Sequence, residues 1–345
     1  MSWVVRPAER EDVPGILALA EHASPRLTNL PPDQRRLDQR VQASRRAFDI
    51  EQGPDAQACH MLVMADAHTG TLLGTASLRV KAGEGEAYYT YRQEQLIHAS
   101  HQLDVRVEVP ILALTHELSS SSLLCALALS PRLDDTQRLK AQRLLRRARL
   151  MMISQWPERF ADRLTMALPG VIDDAGHSPF WNSVGKHFFG RDFQDINFQA
   201  GLESKSFIAE VMPPYPLYLS LLSDAARESL AHAHRTHHKA LSDWYQEGFE
   251  DSGHVDILDG GPVLSARPSA VSVIKNGTWL PVTIAHQTTP THRLLLAGQD
   301  LARYRCSMLD VAMSPAGQVV LTPEQASLLG VTAGVAVRAV LEDGL

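Results

Sequence analysis

Long apolar runs, paired cysteines and an excess of positive charge are all missing from this chain of 345 residues. No run approaches the roughly 20 apolar residues needed to cross a bilayer, so a membrane span is not expected. The N-terminus does not read as a signal peptide either, because Arg6, Glu9, Arg10, Glu11 and Asp12 interrupt any apolar region. The only cysteines, Cys59, Cys125 and Cys306, are odd in number and show no close metal-type spacing, which points to reduced thiols in a cytoplasmic protein. A net charge of -6 supplies no field that would draw nucleic acid or an anionic membrane. Internal repeats, low-complexity tracts and a flexible linker are also absent. The 44% hydrophobic content over this length is instead that of a globular protein with room for two cored domains.

Periodicity gives the coarse order of elements. Residues 3–7 form a short expected strand, and Asp12 is placed to cap a helix over 13–20 that admits Pro14 in its first turn. A second helix, about 33–48, carries many arginines. Residues 61–65 and 72–80 alternate as a hairpin around His68-Thr69-Gly70. Leu123 to Leu129 is a buried strand followed by a long helix from about Thr136 to Ser154. A strand over 164–172 comes next, then a helix opened by Ser178-Pro179, two helices between 213 and 250, and a strand holding Asp256. The pattern is mixed α/β. Beyond about residue 263 the texture changes to short β-type segments, and the close of the chain reads strand, short helix, turn, strand. That unit looks like those of small double-psi or swapped-hairpin barrels.

The densest signal is Val255-Asp256-Ile257-Leu258-Asp259-Gly260-Gly261-Pro262. Alternation puts Asp256 on the face opposite its apolar neighbours, and the glycines permit a turn or close backbone approach. A carboxylate held there suits an amine or a guanidinium, although an ordinary strand and turn would look the same. Further marked stretches are Ser178-Pro179-Phe180-Trp181, Phe207 to Pro213, Leu27-Thr28-Asn29-Leu30-Pro31, Tyr89-Thr90-Tyr91-Arg92 and His98-Ala99-Ser100. With these and Val4-Val5-Arg6-Pro7-Ala8, the chain resembles the arginine N-succinyltransferases from residue 4 to about residue 265. That resemblance implies a GCN5-related N-acyltransferase-like domain over 1–262, with a small β-barrel-like domain over 263–345. It also implies succinyl transfer from succinyl-CoA, as co-substrate rather than cofactor, to the α-amine of L-arginine or ornithine.

Within the resemblance, the position that contacts succinyl-CoA is Leu127, through its main chain, and the proton donor is His234. Imidazole titrates near neutrality and suits that task. The cluster His232, His234, His237, His238 invites a metal, since 234 and 238 would share a helix face, but no local cysteine or carboxylate completes a set and the family uses none. Candidates for the arginine guanidinium are Asp256, Asp259 and Glu210, with Glu210 on an expected strand and able to face outward. Candidates for the succinyl carboxylate are Arg92, His98 and Ser100, for each of which a structural hydrogen bond is an equal alternative.

One stretch departs from the family. Where single-chain members place a glycine loop for the CoA pyrophosphate, this chain has Ser130-Pro131-Arg132-Leu133-Asp134-Asp135. It contains no glycine, and its two aspartates are better suited to helix capping. The following helix is basic, with Arg138, Lys140, Arg143, Arg146, Arg147 and Arg149 on an expected solvated or partner-facing surface. The departure resembles the α-subunit type, which works beside a β chain. The alternative is a non-catalytic partner subunit whose CoA-phosphate loop has decayed.

Overall fold

The structure is a computed structural model that describes residues 2–49, 53–202 and 206–342. Its first half comprises β1 (Trp3–Pro7), α1 (Val13–Glu21), α2 (Gln34–Ala47), β2 (Cys59–Asp66), β3 (Leu72–Arg79), β4 (Thr90–Ser100), β5 (Val105–Thr115), β6 (Ser122–Leu129), α3 (Asp135–Gln155) and β7 (Leu164–Ala167). Next come α4 (Pro179–Ser183), α5 (Gly185–Phe189), α6 (Phe193–Leu202), α7 (Ser206–Val211), β8 (Leu217–Tyr218), α8 (Asp224–Ser229), α9 (His238–Glu247), β9 (Glu250–Asp256) and β10 (Pro262–Ala266). The last part is α10 (Ser272–Asn276), β11 (Thr278–Ile284), β12 (His292–Ala297), β13 (Cys306–Met313), β14 (Val319–Leu321), α11 (Pro323–Leu329) and β15 (Ala336–Leu341).

Strands β1-β2-β3-β6-β7-β10-β9-β4-β5-β8 follow one another in a mixed sheet. All of its neighbours are antiparallel except β6 and β7, which run parallel. Strand β6 changes faces partway along, so that residues of one parity separate. Leu124 packs with α3, while Ala126 and Ala128 pack with α1 and α2. The five strands β11 to β15 close on themselves, because β13 at one end of the order β12-β15-β11-β14-β13 pairs back to β12. Closure leaves no edge within the barrel. Its helix α11 is set by a capping box, Thr322 with Gln325, and ends at Gly330 with φ of 66°, as the strand, short helix, turn, strand pattern requires.

The barrel is fastened to the rest. Val5 of β1 pairs with Cys306 of β13, and the buried Tyr304 hydroxyl donates to Ala148 O of α3 at 2.7 Å. Arg143 meets Glu342 at 3.0 Å. Strand β10 belongs to the large sheet through β7 and β9.

Four expectations are corrected. The segment around Glu210 is the helix α7, not a strand: Ile208 and Met212, four apart, are buried while Glu210 and Val211 are exposed. A short apolar run fits either period until its partners are known. Strand β7 ends at Ala167 rather than 172, because Pro169 lacks a donor and Gly170 makes only an isolated bridge to Ala233. The arginines of α3 are not a solvated face: Arg146, Arg147 and Arg149 are buried. Helix α9 supplies Asp243 to Arg146 at 3.3 Å and Glu247 to Arg147 at 3.0 Å, so these two charges enter the interior paired, while Arg149 donates to backbone carbonyls. Asp12 stands at the N-cap of α1 but makes no cap bond. Its carboxylate instead holds Arg6, at 2.6 Å, and the Glu9 amide.

Candidate functional site

Strands β6 and β7 pair only at Ser122↔Leu164 and Leu123↔Thr165, then part. Opposite β3 the register of β6 slips: Thr75 faces Ala128 and Ser77 faces Cys125, so Ala126 and Leu127 together oppose Ala76. This is a β-bulge, and Ala126 takes φ of 55° to make it. A bulge costs ladder hydrogen bonds, and the freed groups are recovered locally. Asn29 Oδ1 accepts the Ala126 amide at 3.1 Å, and the fully buried Arg149 donates to Ser77 O at 3.2 Å and Cys125 O at 3.3 Å. Burial pushes Arg149 down to about 10, and Trp244 offers its ring to both Arg146 and Arg149, at 5.4 and 6.0 Å.

The parted strands leave a cleft through the sheet. Leu124 to Leu127 form one wall and Met166 to Pro169 the other. Gln142, Arg146, Trp244 and His237 border it on the α3 side, and Leu27 and Asn29 on the opposite side. Leu127 therefore lies on the wall of this cleft, with its side chain packed half-buried on the core.

The turn after β9 abuts the end of this cleft. Asp256 Oδ1 accepts the Leu258 amide at 2.9 Å, and Asp259 Oδ1 accepts the Gly261 amide at 2.8 Å. Both carboxylates thus shape the turn that carries them. Gly261 has no room for a side chain: a Cβ would lie 2.3 Å from Leu168 O. Gly170 is equally confined, 2.4 Å from Asp259 O. Ala231 N donates to Gly260 O, and His234 N to Pro169 O at 2.7 Å. The turn, the Pro169-Gly170 segment and His234 are therefore one packed unit.

His234 is not in the middle of a helix. It is the N-cap of a single turn, Arg235–His237, and lies half-buried. Burial and the neighbouring Arg235 hold its pKa below the usual imidazole value. His238 instead bonds Ala233 O through Nε2 at 3.0 Å. Among the described residues no group of three His, Cys, Asp or Glu is placed to hold a metal ion.

The other expected residues separate. Arg92 is engaged by Glu94, at 2.6 Å through Nε, and by Glu117, at 2.8 Å through Nη1. His98 is exposed toward the end of the 11-residue strand β4, its ring 6.0 Å from that of Tyr218. Arg92, His98 and Ser100 share a face, but at ~3.3 Å per residue Arg92 and Ser100 are about 26 Å apart, so one carboxylate does not meet all three. Glu210 is exposed on α7.

Sequence reasoning missed three neighbours. Tyr88 is half-buried, and its phenol is raised far above its usual pKa by burial, with the Asp256 charge next. His254, its side chain 3% exposed, bridges Thr90 Oγ1 at 2.9 Å and Glu117 Oε1 at 2.7 Å. Burial lowers its pKa and Glu117 opposes the shift. His237 lines the cleft itself. Strand parity with Asp256 and Arg92 was the signal available for His254; no spacing rule marked the other two.

The loop before α3 is closed by its own side chains. Asp134 Oδ1 accepts the Gln137 amide at 2.8 Å, and Gln137 Oε1 accepts the Asp134 amide at 3.2 Å. This capping box occupies donors that an anion would need. Among the described residues no helix is long and apolar enough to cross a membrane.

Comparison with known proteins places these features in a family. Residues 3–273 match the family model described as arginine N-succinyltransferase beta subunit, and residues 280–340 match that of its C-terminal domain, so the relationship reaches past the expected limit near 265. Arginine N-succinyltransferase subunit alpha of Pseudomonas aeruginosa is 35% identical over 98% of this chain and 99% of its own. The subunit beta of the same organism is 33% identical, over 98% and 97%. The solved structure of arginine/ornithine succinyltransferase subunit AI from Pseudomonas aeruginosa superposes with a TM-score of 0.91 at 33% identity, covering 99% of each chain.

Proposed function

The chain belongs to the arginine N-succinyltransferase family, and on that premise we propose that it moves the succinyl group of succinyl-CoA to the α-amine of L-arginine, or of ornithine, as an α-type subunit. The observation that carries this reading is the bulged fork between β6 and β7, open beside Leu127 and closed at its end by the Asp256–Pro262 turn. A parallel pair that splays at a bulge is the arrangement expected of a GCN5-related N-acyltransferase-like fold. It would hold a thioester arm as an extra strand by main-chain bonds. The neutral amine attacks the thioester carbon directly. No covalent acyl-enzyme is invoked, because burial pushes the Cys125 thiol up to about 12 and leaves it un-ionised. His234 handles a proton. Asp256 and Asp259 frame the amino-acid side, while Arg92, His98 and Ser100 are not offered as one carboxylate site.

The same reading locates the protein in the cytoplasm, where acyl-CoA is made and used. It divides the chain into an acyltransferase-like unit and the β-rich C-terminal unit, with the boundary between 273 and 280 because β10 pairs inside the large sheet. A related β-type chain is the expected partner.

A second reading has an observation of its own. The Asp134–Gln137 capping box closes the N-terminus of α3, where the resemblance puts the CoA phosphates, which favours a partner subunit that no longer binds CoA. Arginine-dependent release of CoA from succinyl-CoA separates the two. Release by this chain alone, reduced about 100-fold in His234→Ala, supports the transferase. Release only when a β-type chain is added, and untouched by His234→Ala, supports the second reading. No release in either setting contradicts both.

A further inference from the structure

Two histidines near the fork are joined by one hydroxyl. Thr236 Oγ1 lies 2.8 Å from His234 Nδ1 and 3.0 Å from His237 Nδ1. The direction of this chain is set by a third contact. The Thr236 backbone N–H points at His234 Nδ1 at 3.4 Å, and a backbone N–H only donates. His234 Nδ1 is therefore the unprotonated nitrogen. The Thr236 hydroxyl must donate to it, and with its proton so committed the oxygen accepts from His237 Nδ1–H. His237 is left with a lone pair on Nε2, on a side chain that lines the cleft beside Leu127.

Resting on the transferase reading, we infer that His237, Thr236 and His234 form a proton relay between the fork and solvent, in which His237 rather than His234 meets the reacting amine. The amine nitrogen attacks the thioester carbon, and the carbonyl π pair moves to oxygen. The nitrogen then gives one proton to His237 Nε2 while Nδ1–H passes to Thr236, whose own proton moves to His234 Nδ1. His234 sheds its Nε2 proton to water. As the oxygen pair returns, the C–S bond breaks with its electrons on sulfur. The chain then runs back: water returns a proton to His234 Nε2, Nδ1–H passes to Thr236, its proton to His237 Nδ1, and His237 Nε2–H to the thiolate, which restores both starting tautomers. Atoms and charge balance without a further reactant. Burial, followed by the charge of His234, holds His237 down to about 4, so it is neutral and able to accept at neutral pH. The groups facing the relay are Arg235, itself paired with Asp174, His238, and the Ile172 backbone, which hydrogen-bonds the His234 ring.

The test is Thr236→Val, which removes the hydroxyl but keeps the shape, with Thr236→Ser and His237→Gln beside it, in the full chain with its partner if one is required. The relay requires kcat to fall about 100-fold in Thr236→Val and His237→Gln, with KM for both substrates within about twofold, and to recover in Thr236→Ser. A kcat for Thr236→Val within about twofold of wild type overturns it. If the wild-type protein transfers no succinyl group, the transferase reading fails, and the relay is judged separately by NMR of ¹⁵N-histidine-labelled protein. A bare Nδ1 on His234 with a protonated Nδ1 on His237 upholds the relay, and a protonated His234 Nδ1 ends it.

Discussion

Two turns flank the fork, and they are built by opposite means. The turn after β9 uses glycine because backbone crosses backbone: Gly261 and Gly170 interlock with Leu168 and Asp259 at distances no Cβ tolerates. The loop before α3 has no glycine and meets its helix through side chains, Asp134 and Gln137 satisfying each other's amides. The first turn keeps its end of the fork, the one proposed for the amino acid, closely fitted. The second leaves the N-terminus of α3, proposed as the phosphate side, capped, with Asp135 adding a further negative charge. The contrast teaches that the two ends of the fork are constrained separately: close packing protects one, whereas exposed capping side chains can be exchanged with little effect on stability.

That contrast can be broken by substitution. Gly261→Ala should have the largest effect, about 3 kcal/mol of destabilisation in urea unfolding together with loss of transfer, because the two nearest of the three atoms it strikes, Leu168 O and Gly170 N, are main chain. A loss within experimental error would mean that the turn is looser than its contacts. Asp134→Ala removes the cap and should cost about 1 kcal/mol, measured the same way, with the fork unchanged. Replacing Asp134 and Asp135 together by glycine should give the smallest change in stability, a few tenths of a kcal/mol for the cap. It should tighten succinyl-CoA binding in calorimetry by up to about tenfold, as repulsion near the phosphates falls. Unchanged or weaker binding would show that the phosphates do not approach this loop.

Much of the frame was legible in the residues. The hairpin of β2 and β3, the buried strand β6, the long helix α3 and the closing unit around α11 all follow from period and caps. The Asp256–Pro262 turn announced itself through its glycines, although not through their reason, which lies in Leu168 and Gly170 almost a hundred positions away in sequence. What stayed hidden depended on partners distant along the chain. The α3 arginines look like a solvated stripe until Asp243, Trp244 and Glu247 of α9 are brought against them. Glu210 fits strand or helix until Ile208 and Met212 find the same core. His234 entered through the resemblance alone, whereas His237, three residues on, reaches the cleft because the chain turns once there.

The most direct measurement is amide hydrogen exchange with and without succinyl-CoA, on the chain together with a β-type partner if binding requires one. The account expects protection at residues 124–129 and 166–170, the two walls of the fork, with little change across 131–138. Protection concentrated at 131–138 with none along the fork would contradict it.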